Sequence, residues 1–220
     1  MELSKAGFDQ RLVNHMLFLS LVGMSNVGKS FISGRLASDH SLNFARACID
    51  DRIEEKLSPF LEGRGFSGID GVAAWMGQPY DARYPETQQL YLGFEEASMC
   101  EVGYGVGNLV VDTTGSVIYL SQPALGHLRE KTLVVYLEAT DEIKKGLFER
   151  YISNPKPVIW GSSFNLQAGE SGIEALKRCY PQLLDYRAAK YRELADVAVP
   201  AGALRNATGR QFLSELRSRL

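Results

Sequence analysis

The chain of 220 residues is poor in the residues that announce a metal cage or a disulfide scaffold. It has three cysteines, Cys48, Cys100 and Cys179, an odd number, far apart and without C-x-x-C spacing. Neither a zinc site nor a disulfide framework is indicated, and a reducing cytoplasm is the expected compartment. The three histidines, His15, His40 and His127, share no motif. Charge of one sign is also lacking: 24 Lys and Arg face 26 Asp and Glu, for a net charge of −2. No basic excess argues for nucleic acid, and no acidic block argues for a solvating tail. Long hydrophobic runs are missing too. Met16 to Met24 is the most apolar early stretch, about half of what a membrane span needs. Residues 2 to 10 carry both charge signs, unlike the cationic start of a signal peptide. No repeat or low-complexity tract occurs. With 45% hydrophobic residues, a chain of this length can bury a core without staples.

What is present is alternation. Short runs rich in β-branched residues predict strands at 16–22, 44–49, 108–112, 132–137 and 195–199. Helical patterns fall between them, at 29–37, 53–57, 72–76, 84–97, 123–129, 141–151, 182–194 and 207–220. Asp141 is a candidate helix cap. Strands alternating with helices imply a parallel sheet covered on both faces. Residues 1–16 read as an N-terminal extension, and 17–220 as a single domain. Residues 152–172, with Pro, Gly, Asn and Ser concentrated near their start, read as a long inserted loop, either a mobile surface connection or a lid.

The most informative motif is Gly23-Met-Ser25-Asn26-Val27-Gly28-Lys29-Ser30, which matches G-x-x-x-x-G-K-[ST]. It follows an apolar strand and precedes a helical pattern, the context the motif requires. Its glycines let the backbone wrap phosphate oxygens, and its successive N–H groups form an anion nest at a helix N-terminus. Lys29 is expected to reach the terminal phosphates and Ser30 to ligate Mg²⁺. Nucleoside triphosphate binding follows. What is phosphorylated does not.

Beyond this loop the sequence resembles the shikimate kinases, small P-loop enzymes that move the ATP γ-phosphate to a cyclic polyol acid. Cys48-Ile-Asp50-Asp51-Arg52-Ile53-Glu54 is similar to their D-x-D-x-x-I-E segment. Ile69 to Gly77 followed by Arg83-Tyr-Pro-Glu86 is similar to their segment ending F-R-x-x-E. Thr113-Thr114-Gly115-Ser116 stands for their T-G-G-G turn, and Val134-Val-Tyr-Leu137 for V-V-Y-L. Arg150 with Lys156-Pro157 resembles the lid, and Leu183 to Asp196 resembles L-L-x-x-R-x-P-L-Y-x-E-x-A-D.

The resemblance implies a P-loop kinase-like α/β fold, with about five parallel strands, helices on both faces and a lid. It implies ATP- and Mg²⁺-dependent phosphorylation of a small hydroxy acid, with shikimate as the leading acceptor. Asp50 would orient the acceptor hydroxyl and take its proton, although a helix cap is an equal reading of the same residue. Arg83 and Arg187 would clamp a carboxylate, Gly115 would offer its N–H, Arg150 would stack on adenine and Lys156 would reach the phosphates on lid closure. Two departures stand out. Cys48 replaces the family's metal-side Asp, and a thiol suits Mg²⁺ poorly. Asp112, at the end of the third strand, is the expected substitute. Thr114 and Ser116 replace glycines, so they either narrow the acceptor site or offer it hydroxyls. A nucleotide-binding pseudokinase and, more remotely, a GTPase are the alternatives; no N-K-x-D guanine-reading motif follows. The expected partner is a small molecule bound by a monomer, with no nucleic acid or membrane.

Overall fold

The computed structural model describes residues 3–62, 64–153 and 156–220. In chain order the helices are α1 (Lys5–Val13), α2 (Lys29–Ser38), α3 (Ile49–Leu61), α4 (Gly68–Met76), α5 (Tyr84–Cys100), α6 (Gln122–Lys131), α7 (Asp141–Ser153), α8 (Gly172–Leu194) and α9 (Gly209–Ser218). The strands are β1 (Phe18–Val22), β2 (Phe44–Cys48), β3 (Asn108–Asp112), β4 (Leu133–Glu138) and β5 (Val197–Pro200). They form one sheet in the order β2-β3-β1-β4-β5, and every pairing is parallel. All five residues of β3 are buried, whereas edge strand β2 exposes Ala45 and Arg46. This is the pattern of a sheet with both faces covered.

Register decides where chemistry can assemble. Cys48 pairs with Asp112, Asp112 with Leu21, and Val22 with Tyr136. The strand ends therefore lie along one edge. β1 is the central strand, and its neighbours β3 and β4 leave in opposite directions along the sheet. Ligand crevices in open α/β sheets form at such a switch point, beyond the carboxyl ends of the strands.

Several elements differ from expectation. Residues 5–13 of the N-terminal segment form α1, capped by the Ser4 hydroxyl, and Phe8 enters the core. The Asn108 side chain ties this region down: it accepts from Leu17 N–H and donates to the Leu42 and Leu12 carbonyls. Helix α8 begins at Gly172 rather than 182, because a capping box at Ser171 and Glu174 starts it and Pro181 lies inside it. Asp141 is inside the first turn of α7; the Thr140 hydroxyl accepts from Ile143 N–H instead.

The proposed lid stretch is not a surface connection throughout. Asn154 and Pro155 lie outside the described residues, but Val158, Ile159 and Trp160 are buried. The Tyr84 hydroxyl donates to the Val158 carbonyl at 2.7 Å and accepts from Trp160 N–H at 3.0 Å. An apolar triplet behind two prolines has turned inward, where its burial outweighs the loop-forming tendency of its neighbours.

Candidate active site

The phosphate loop follows β1 without a spacer. Gly23 has φ +145°, and a Cβ there would fall 2.7 Å from the Leu137 carbonyl oxygen. Only glycine fits that approach to β4. Gly28, at φ +103°, is the residue before α2. Lys29 is the first residue of α2 and is buried; its Nζ donates to the Gly23 and Met24 carbonyls at 2.8 and 2.9 Å. Burial pulls the Lys29 ammonium below its ordinary range, while Asp112 and Asp50 pull the other way. The ammonium is thus held at the loop by carbonyls that a phosphate oxygen can replace.

A cavity of about 610 Å³ opens in front of this loop. Ser25, Asn26, Gly28, Lys29, Ser30, Asp50, Gly115, Arg150 and Lys156 all line it, so nine of the residues singled out in the sequence meet there. Val27 is buried against the core behind the loop. Asp50 lies in the first turn of α3, whose N-cap is Cys48, so the capping reading of Asp50 does not hold. Burial raises the Asp50 carboxyl above its usual range, opposed by Lys29 and reinforced by Asp112. Arg150 is exposed at the cavity mouth, and Lys156 pairs with Asp70 at 2.8 Å.

The two arginines do not share this cleft. Arg83, before α5, donates from Nη2 to the Ala74 carbonyl at 2.9 Å. It caps an orphan carbonyl in the last turn of α4 and is absent from the cavity wall. Arg187 is buried, donates to the Ile159 carbonyl at 2.7 Å and lies over the Tyr119 ring at 5.5 Å. It lines an adjoining pocket with Ser25, Asn26 and Lys156. A Cβ on Gly115 would meet Ser25 Oγ at 3.2 Å and Arg187 Nη1 at 3.4 Å, so Gly115 sits between the phosphate loop and Arg187.

On the metal side, burial pushes the Cys48 thiol up to about 12, so it is neutral and offers Mg²⁺ no charge. Asp112 is buried at the end of β3, with Oδ2 accepting from Ser33 Oγ at 3.0 Å and from Arg46 Nη2 at 2.6 Å. Its Oδ1 is buried without a hydrogen-bond partner among the described residues. A free hard oxygen beside the loop suits a magnesium shell, with Ser30 as the second ligand. Arg46, which also donates to Ser33 at 2.8 Å, was not foreseen from the sequence.

The Thr113–Ser116 turn holds the largest surprise. The hydroxyls of Thr114 and Ser116 are each engaged in a hydrogen bond with one of the two oxygens of Glu95, a fully buried carboxyl on α5. Burial lifts Glu95 to about 7, against the pull of those hydroxyls. Glu95 was missed in the sequence, yet a signal exists. Tyr84, Thr87, Tyr91, Glu95 and Ser98 recur at three- and four-residue spacing along one buried face of α5, and a carboxylate on such a stripe demands a partner.

No protein-family model and no curated protein matches the chain. Among solved structures it is similar to the shikimate kinase of Acinetobacter baumannii in complex with shikimate, with TM-score 0.60 and 18% identity over 95% of this chain and 94% of that one. The shikimate kinase of Bacteroides thetaiotaomicron matches with TM-score 0.59 and 17% identity over 92% and 97%. That of Aquifex aeolicus matches with TM-score 0.52 and 14% identity over 91% and 93%. At such identities the likeness establishes the fold: a divergent, shikimate-kinase-like α/β P-loop architecture.

Proposed function

We propose that this chain, built on a shikimate-kinase-like fold, catalyses ATP- and Mg²⁺-dependent phosphorylation of a hydroxyl on a small hydroxy acid. The observation that carries the reading is the meeting of Lys29, Asp50 and Gly115 around one cavity at the carboxyl edge of the sheet. The phosphate-loop N–H groups and Lys29 bind the triphosphate and meet charge that develops in transfer. Asp50 orients the acceptor hydroxyl and takes its proton; its raised carboxyl is a better base than an exposed aspartate. Ser30 and Asp112 would hold Mg²⁺, which neutralises phosphate charge when bound. Arg150 at the mouth stacks on the base, and Lys156 follows the lid toward the phosphates.

Shikimate is the first acceptor to test. Its carboxylate would rest on Arg187 alone, since Arg83 is engaged on α4. A one-armed clamp favours an acceptor whose carboxylate is one contact among several. The test is ADP release from purified protein with shikimate, with other cyclic polyol acids and with no acceptor, using ATP and then GTP. Acceptor-dependent ADP release from ATP is expected. Acceptor-independent GTP turnover would replace the reading by a GTPase, and nucleotide binding without turnover by a pseudokinase.

A further inference from the structure

Among the described residues, Glu95 is the acidic side chain next to the cavity wall whose two oxygens both hold hydroxyls of the turn that carries Gly115. Its Oε1 takes Thr114 Oγ1 and its Oε2 takes Ser116 Oγ. The two hydroxyls also contact each other at 2.9 Å, and Ser116 N–H donates to Thr114 Oγ1 at 3.0 Å. The Tyr91 ring lies on the same buried face of α5, one turn before Glu95.

Hydrogen counting discriminates between charge states. Three contacts join Glu95, Thr114 and Ser116 in a ring, and each needs one hydrogen. An ionised Glu95 leaves only the two hydroxyl hydrogens, so one contact would press two lone pairs together. A neutral Glu95 supplies the third, and the ring closes: Glu95 donates to Ser116, Ser116 to Thr114 and Thr114 to Glu95. The Ser116 N–H donation then fills the second lone pair of Thr114 Oγ1. Tyr191, on α8, completes the turn by donating to the Gly115 carbonyl at 2.5 Å.

We propose that Glu95 is a positioning residue that works as a neutral carboxylic acid, using its own proton to lock Thr114 and Ser116 and so hold Gly115 between the phosphate loop and Arg187. The proposal rests on the phosphotransfer reading for its catalytic consequence, but not for the state of the carboxyl. The charged and titratable groups that act on Glu95 are Asp50 from α3, Lys29 from α2, Arg187 and Tyr191 from α8, and Tyr91 on its own helix. Asp50 opposes ionisation, and burial opposes it most. Keeping Glu95 neutral leaves Asp50 as the anion at the acceptor.

The experiment compares wild type, E95Q, E95A and T114V. Glutamine preserves the donor-and-acceptor pair of a protonated carboxyl, so E95Q should keep acceptor kcat/KM within about threefold. E95A and T114V should lose about tenfold or more in acceptor kcat/KM, with nucleotide KM little changed. Equilibrium unfolding at a series of pH values needs no turnover. Relative to E95Q, wild type should lose stability as pH rises from about 4.5 to about 7. E95Q as impaired as E95A, or an identical pH dependence in wild type and E95Q, would overturn the proposal. If the unfolding difference holds while no acceptor supports turnover, the phosphotransfer reading falls and the neutral carboxyl stands. T114V keeps the comparison informative should E95A fail to fold.

Discussion

A half-buried carboxyl beside a lysine and a second carboxyl is pulled in both directions, and Asp50 occupies that position. Its place inside the first turn of α3, rather than at the cap, leaves the side chain free for the cavity. Replacing it with Asn removes the proton acceptor while keeping size and polarity. D50N should lower kcat by roughly 10²- to 10⁴-fold and leave nucleotide affinity nearly unchanged. Steady-state kinetics with a parallel nucleotide titration checks this, and full turnover by D50N would remove the base role. Glu95 carries the pH argument at the same scale. Its carboxyl rises from 4.5 to about 7 in the fold, so between those values the unfolded chain has released the proton and the native protein still holds it. The contribution of Glu95 to stability is therefore whole below 4.5 and is lost as pH climbs through about 7, a change on the order of 3 kcal/mol.

Among the elements, α1 shows how little of an interface rests on its visible ion pair. Asp9 and Arg217 join α1 to α9 by two hydrogen bonds of 2.6 and 2.7 Å, yet both side chains are nearly half exposed. Such an exposed pair, screened by solvent, contributes little. Phe8, 1% exposed, is the anchor. F8A should cost about 3–5 kcal/mol and D9A far less, as read from urea melts. Equal losses would mean that the helix is held by charge. The segment after α7 behaves alike. Trp160 packs among Tyr151, Phe164 and Tyr180 and its indole N–H points to the Tyr151 hydroxyl at 3.4 Å. The triplet Val158–Trp160 is accordingly part of the core, and Lys156, just before it, pairs with Asp70 of α4.

For the molecule as a whole, the phosphate loop joins the two halves of the sheet, since β1 pairs with both β3 and β4. A ligand that grips this loop stabilises the fold by mass action. ATP with Mg²⁺ at about one hundred times its dissociation constant should raise the unfolding free energy by about 2.7 kcal/mol, seen as a higher Tm. K29M exchanges a buried ammonium for an apolar chain of similar length. It should keep the parent's unliganded fold and lose the nucleotide-induced rise. A K29M protein that shifts as the parent does would show that Lys29 plays no part in binding.

The amino-acid sequence alone determined the five parallel strands and the phosphate loop. The strands are short, mostly apolar runs, and the loop is one contiguous motif with its glycines in place. Both signals are local along the chain. Resemblance carried Asp50, Gly115, Arg150 and Lys156 to their cavity for the related reason that each lies within a few residues of a strand end or the lid. Only the tertiary structure decided the rest. Arg83 turns to a carbonyl of α4, while Arg187, more than a hundred residues later, reaches the phosphate loop. Asp112 shares itself with Arg46, and Glu95 closes a ring with a turn nineteen and twenty-one residues away. Spacing along the chain fixes which face a side chain takes on its own helix. Its hydrogen-bond partner depends on which other elements pack there, and that is settled when the core closes.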